Sequence, residues 1–166
     1  MADLIKREHT MKSDSPDTAD ALEAFDDFLM QMDSQLAALE RDAGGRGIAL
    51  DLSPTSLAQV ERYFDLASAN PPVNVDRDSL IIICGRYIGE VVRIAFGGQW
   101  KLALDDPDDV NFNMPVIVGH AKSDVEFSPI MVMRAYALRH KPGTIARAVA
   151  ADVDFTPPRL DDTLED

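Results

Sequence analysis

Residues 80–101, LIIICGRYIGEVVRIAFGGQWK, decide the fold. The stretch is the most apolar part of the chain. It carries three charges before Lys101 (Arg86, Glu90 and Arg93) and holds the single tryptophan, Trp100. Ile81, Ile82, Ile83, Tyr87, Ile88, Val91, Val92, Ile94 and Phe96 are too many for one narrow stripe, so the segment reads as a helix buried on most of its surface. Gly97-Gly98 stops it. Trp100, Leu102 and Leu104 then alternate with Gln99, Lys101 and Ala103, the pattern of a half-buried strand. Arg86, Glu90 and Arg93 follow one another at i, i+4 and i+7, so Glu90 reaches both arginines and the three form an ion group. Gly85 and Gly89 are also four apart. A glycine inside a helix costs about 1 kcal/mol against alanine, and close approach of another element is the expected compensation.

Outward from this segment, a device recurs. Ser15-Pro16, Ser53-Pro54 and Ser128-Pro129 each precede a helical pattern. Serine is expected to cap the free amides of the first turn, and proline loses no hydrogen bond at the first helical position. The first helix is predicted from about Pro16 to Asp42, with Leu22, Phe25, Leu29, Met32, Leu36 and Leu39 in steps of three and four. That stripe either packs on the rest of the domain or pairs with a partner helix as a short coiled coil. Gly44-Gly45 ends it. The second helix places Leu57, Val60, Phe64 and Ala67 on one face and stops at Asn70-Pro71-Pro72. Asp76 or Asp78 caps the central helix.

Downstream lie an acidic turn, Asp105-Asp106-Pro107-Asp108-Asp109, a second strand over Met114–Ala121 and a short third strand over Val125–Phe127. A helix follows Ser128 to about His140, with Ile130, Met133, Ala137 and Leu138 inward. Lys141-Pro142-Gly143 breaks it, and Thr144 caps a last helix through Ala151. The order gives an α+β domain over 15–153, with N-terminal helices, a central buried helix, a small antiparallel sheet and C-terminal helices. A flexible arm (1–14) precedes it and an acidic disordered tail (154–166) follows it.

The 166 residues, 46% apolar and 27% charged, suit one domain with an ordinary core, but the net charge of −13 is not ordinary. It argues against binding a phosphate backbone or an anionic membrane, and for a partner with a basic surface. The start of the chain has no apolar stretch of secretory type, and no apolar run approaches the ~18 residues of a membrane span. The cytoplasm is the expected compartment. Cys84, the single cysteine, makes neither an internal disulfide nor a zinc site by itself and reads as a small buried residue.

Phosphate-loop, dinucleotide, nucleophile-elbow and zinc-protease motifs do not occur in the sequence. His9, His120 and His140 are far apart and read as surface or structural residues. Asp109-Val110-Asn111-Phe112-Asn113 imitates the start of a calcium loop, but Met114 stands where the turn needs glycine and His120 where it needs a bidentate glutamate. The acidic turn therefore reads as a hairpin tip or, more sharply, as Asp105, Asp106, Asp108 and Asp109 presented to a basic partner. Glu90 between two arginines is held ionised, which suits an ion group better than a general base. No catalytic residue, cofactor or metal is expected, and the chain is read as a non-enzyme.

Tyr87-Ile88-Gly89-Glu90, Gly97-Gly98-Gln99-Trp100, Pro115-Val116-Ile117 and Phe127-Ser128-Pro129 together resemble a loose group of small bacterial proteins with a Y-x-G-E, G-G-x-W and F-x-P pattern. The resemblance covers about residues 78–140. Many members are uncharacterised, and some look like immunity proteins encoded beside secreted toxins. It implies that Arg86, Tyr87, Gly89, Glu90, Arg93, Gly97, Gly98, Trp100 and Pro129 do structural work, and it brings no catalytic residues. Together with the charge, it leads to the expectation of an immunity protein that blocks a cognate toxin by binding. An acidic secretion chaperone for an effector is the alternative, and an enzyme of unrecognised type the remote one.

Overall fold

A computed structural model of the chain describes residues 16–153. The arm over 1–14 and the tail over 154–166 lie outside the described residues, as do Ser15 and His9. The chain divides into two compact units, one through Asp33 and one from Ser34.

The first unit holds helix α1, Pro16–Met30. Phe25 and Phe28, three apart, stack their rings at 6.4 Å. Leu22 and Leu29 of the expected stripe are exposed. The single long helix expected here is two: α1 ends at Met30, Gln31 is a turn residue, and α2 spans Met32–Gly45. The Gln31 amide still donates to the Asp27 carbonyl at 3.0 Å. No proline or glycine lies near the break, so the apolar period runs straight across it.

The second unit contains α2 from Ser34 onward. Gly44 and Gly45 remain helical, and the stop falls at Gly47, with φ of 77°. There the Ile48 amide reaches back to the Ala43 carbonyl (2.9 Å) and the Gly47 amide to Gly44 (3.1 Å). This closure needs a left-handed residue, and it turns Ile48 into the core. After a 3-10 turn, Pro54–Ser56, comes α3, Leu57–Ala69, which buries Leu57, Val60, Phe64 and Ala67 as expected. The central helix α4, Arg77–Phe96, is capped by Asp76, whose carboxylate accepts from the Ser79 amide at 2.8 Å.

Strands β1 (Gln99–Leu102) and β2 (Pro115–Val118) pair antiparallel, with Trp100 opposite Ile117. The third expected strand is reduced to one bridge, Ile117 to Phe127. Strand β2 is shorter than expected because Gly119, at φ 78°, turns the chain. Leu104 falls beyond β1, and Ala103 is buried in its place. Helices α5 (Pro129–Arg139) and α6 (Thr144–Val153) complete an α+β fold with helices at both ends.

Three further expectations are corrected. Residues 93–96, the last turn of α4, are all exposed, so Ile94 and Phe96 are not core. On α5 the inward residues are Ile130, Met133, Tyr136 and Ala137, while Leu138 is 78% exposed. At 3.6 residues per turn, Leu138 lies about 140° round from Met133. Neither Ser53 nor Ser128 caps its helix. The Ser53 hydroxyl donates to the Asp51 carboxylate at 2.5 Å, a stronger acceptor close at hand. What survives of the device is the proline at each helix start.

The expected compensation for Gly85 and Gly89 is present. A Cβ on Gly85 would lie 2.9 Å from Ile130 Cγ1 and 3.1 Å from Ile130 Cα, so α5 runs directly against α4 there. A Cβ on Gly89 would lie 2.2 Å from two ring carbons of Trp100 and 3.1 Å from Pro129 Cγ. Glycine is the one residue that lets both neighbours sit on the helix backbone.

A residue with no signal in the sequence anchors the C-terminal helix. Glu61 of α3 is buried, and its carboxylate accepts from the Gly143 amide (2.8 Å) and the Ile145 amide (3.1 Å). A negative group on the first-turn amides also complements the dipole of α6. Thr144, expected to cap, donates instead to the Lys141 carbonyl at 2.6 Å.

Gly89→Ala is therefore expected to destabilise the protein by about 2–3 kcal/mol, since overpacking outweighs the better helix propensity of alanine. Gly44→Ala, where a Cβ meets nothing within 4 Å, is expected to stabilise it by about 0.5–1 kcal/mol. Urea unfolding of both variants checks the pair, and equal effects would mean that the Trp100 contact is unimportant.

Candidate functional site

Two polar constellations stand out, one under α4 and one on the surface. In the first, Glu90 Oε1 accepts from Arg93 Nε (3.0 Å) and Trp100 Nε1 (2.8 Å), and Oε2 accepts from Arg93 Nη2 (2.8 Å). Burial pushes the Glu90 carboxyl up, but the Arg93 and Trp100 hydrogen bonds and the Arg93 charge together hold it below its ordinary value. A carboxylate held this way is a poor base at neutral pH. Arg86 is buried on the same helix, and burial lowers the pKa of its guanidinium.

Tyr87 and Gly98 complete this motif structurally. The Tyr87 hydroxyl accepts from the Leu52 amide at 2.8 Å and shares a 2.7 Å hydrogen bond with Ser56. It thereby holds Leu52 at a φ of 61°, a left-handed conformation that costs a leucine roughly 1–2 kcal/mol. Gly97 and Gly98 have φ of 89° and 97°, and a Cβ on Gly98 would meet the Val118 carbonyl at 2.6 Å. Cys84 is wholly buried, and burial pushes its thiol up, away from reactivity.

The second constellation begins in the loop between β1 and β2. Asp105, Asp106, Asp108 and Asp109 are all exposed there. The loop is ordered by its own bonds: the Asp108 amide donates to Asp106 Oδ1 (2.9 Å) and the Asn111 amide to Asp109 Oδ1 (2.8 Å). Its base is closed by Asn113, whose amide donates to the Ala103 carbonyl at 2.7 Å. Beside it lies a groove of about 680 Å³. Its lining brings Asp105 and Asp109 of the loop together with Asp124 and Glu126 from the segment before α5 and Asp152 from α6. Lys101 is the one cation among the described residues lining it, and it pairs with Asp105 at 3.2 Å. Asp106 and Asp108 stand at the tip, outside the groove lining.

Behind Asp152 sits His120. Its side chain is fully buried, its Nε2 is hydrogen-bonded to Asp152 Oδ2, and its Nδ1 has no hydrogen-bond partner. The pair ties α6 to the loop after β2. His140 ends α5 at φ 50° and shares a hydrogen bond with Asp65 at 2.9 Å, beside the Tyr136 hydroxyl that donates to the same carboxylate. Among the described residues, no group of three His, Cys, Asp or Glu side chains is placed to hold a metal ion. No helix among them is long and apolar enough to cross a membrane.

The sequence marked Asp105 and Asp109 by their density. It gave no sign of Asp124, Glu126 or Asp152, whose spacing of 15 to 47 residues from the loop is bridged only by the fold. The chain matches no family model, and no curated protein or solved structure matches it.

The lowered pKa of Glu90 fixes a sign. Its contribution to stability is present above the unfolded-state value of about 4.3 and is lost as pH falls through the lower folded value. The urea midpoint of the natural protein is expected to fall as pH drops below the unfolded-state value of about 4.3, and the gap to Glu90→Gln to narrow with it. A gap that widens on acidification would mean a protonated Glu90.

Proposed function

We propose that the chain is a bacterial immunity protein, active in the cytoplasm, that neutralises a cognate toxin by binding it, without catalysis. The observation that carries this reading is the convergence of five carboxylates from three separate segments on one groove. Like charges gathered on a surface repel one another, and a basic partner offsets that repulsion on binding. Opposed charge also speeds the encounter and rejects partners of the wrong sign. A toxin that acts on nucleic acids or nucleotides carries the basic surface that such a groove fits. The Tyr87–Glu90, Gly97–Trp100 and Phe127–Pro129 pattern points the same way, through its resemblance to a loose group of small bacterial proteins of which some look like immunity proteins. Its residues are occupied in packing, which leaves recognition to the surface.

The experiment is co-expression with a secreted toxin encoded next to this chain's gene. Cells are expected to survive, and a complex of the two proteins is expected on a column. Replacing Asp105, Asp106, Asp108 and Asp109 together by Asn is expected to slow association by about tenfold or more at low salt and to flatten its salt dependence. Dead cells with no complex would remove the proposal. A stable dimer that captures unfolded effector would replace it with a secretion chaperone.

A further inference from the structure

A second depression lies beside the acidic groove, between α5 and α6. It measures about 320 Å³ and is lined largely by apolar groups, among them Phe127, Met131, Val132, Ala135 and Ala148. Met131, Val132, Ala135 and Ala148 are only half-buried, so solvent meets this surface. Ser128 also lines it, and its hydroxyl is buried without a hydrogen-bond partner. Glu126 and Asp152 line both the trough and the acidic groove. The two depressions therefore adjoin at Glu126 and Asp152, one largely acidic and the other largely apolar.

We infer that the trough seats an apolar side chain carried within a basic segment of the partner protein, while Lys and Arg of the same segment occupy the acidic groove. The inference rests on the acidic groove being the binding surface. Charge complementarity selects this occupant. A second copy of the chain, docked about a two-fold axis through this surface, would bring the same acidic patch of both copies, Glu126 and Asp152 included, into one interface, at a net charge of −13 each. A lipid surface or a nucleic acid would bring more negative charge to the same rim. A basic segment with one apolar anchor satisfies both halves: the charges give rate and orientation, and the buried anchor gives residence time.

The test uses two short peptides rich in Lys and Arg and equal in charge, one with a central Leu and one with Ser there. Each is titrated into the full chain and followed by fluorescence anisotropy at low salt. The Leu peptide is expected to bind about tenfold more tightly, as burial of a leucine side chain implies. Ala135→Gln, or Ala148→Gln on the other helix, is expected to erase that advantage and leave the salt-dependent binding intact. Equal affinities for the two peptides, or an advantage untouched by both variants, would sink the trough and leave the acidic groove standing. No binding of either peptide would sink both. A dimer seen by light scattering and dissolved by Ala135→Gln would assign the trough to a second copy and overturn the inference.

Discussion

The second unit depends on one missing side chain. Because Gly89 has no Cβ, the indole of Trp100 lies directly against the α4 backbone, with Pro129 on the same spot. That position brings Trp100 Nε1 to Glu90, so a packing constraint also completes a hydrogen-bond group. One turn earlier, Gly85 admits Ile130 in the same way. The two glycines set how close β1 and α5 come to the central helix. Each costs about 1 kcal/mol in helix propensity, which the dispersion and burial of a tryptophan, a proline and an isoleucine against α4 outweigh.

The surface follows from this core through a short series of contacts. Once α5 is seated, Tyr136 is buried and its hydroxyl reaches Asp65 on α3. The same α3 carries Glu61, whose carboxylate holds the first amides of α6. Helix α6 then delivers Asp152 to the groove, where His120 ties it to the loop after β2. The acidic groove and the apolar trough are thus products of helix placement. Their residues are strung across the chain, and they meet because Gly85 and Glu61 fix where α5 and α6 lie.

What was legible in the sequence was local. The apolar periods of α3 and α4, the proline starts, the Asp76 cap and the need for close neighbours at Gly85 and Gly89 all follow from spacing within a few residues. The break at Gln31 leaves no proline or glycine behind. Ile94, Phe96 and Leu138 are apolar yet exposed, and composition cannot say which face a neighbour covers. Ser53 fails as a cap for a local reason: its amide and hydroxyl both turn back to the Asp51 carboxylate, two residues earlier. The third strand shrank to one bridge, because pairing depends on where a distant strand ends.

The sequence by itself determined an α+β arrangement around a buried central helix, because hydrophobic period and turn chemistry act over short range. It also determined the acidic character of the molecule, because charge is additive. The tertiary structure alone decided that Asp124, Glu126 and Asp152 join Asp105 and Asp109 on one groove. It alone decided that Glu61 caps a helix 82 residues away. Such contacts depend on the closing of long loops around a packed core, and no local pattern encodes which distant carboxylate ends beside which amide.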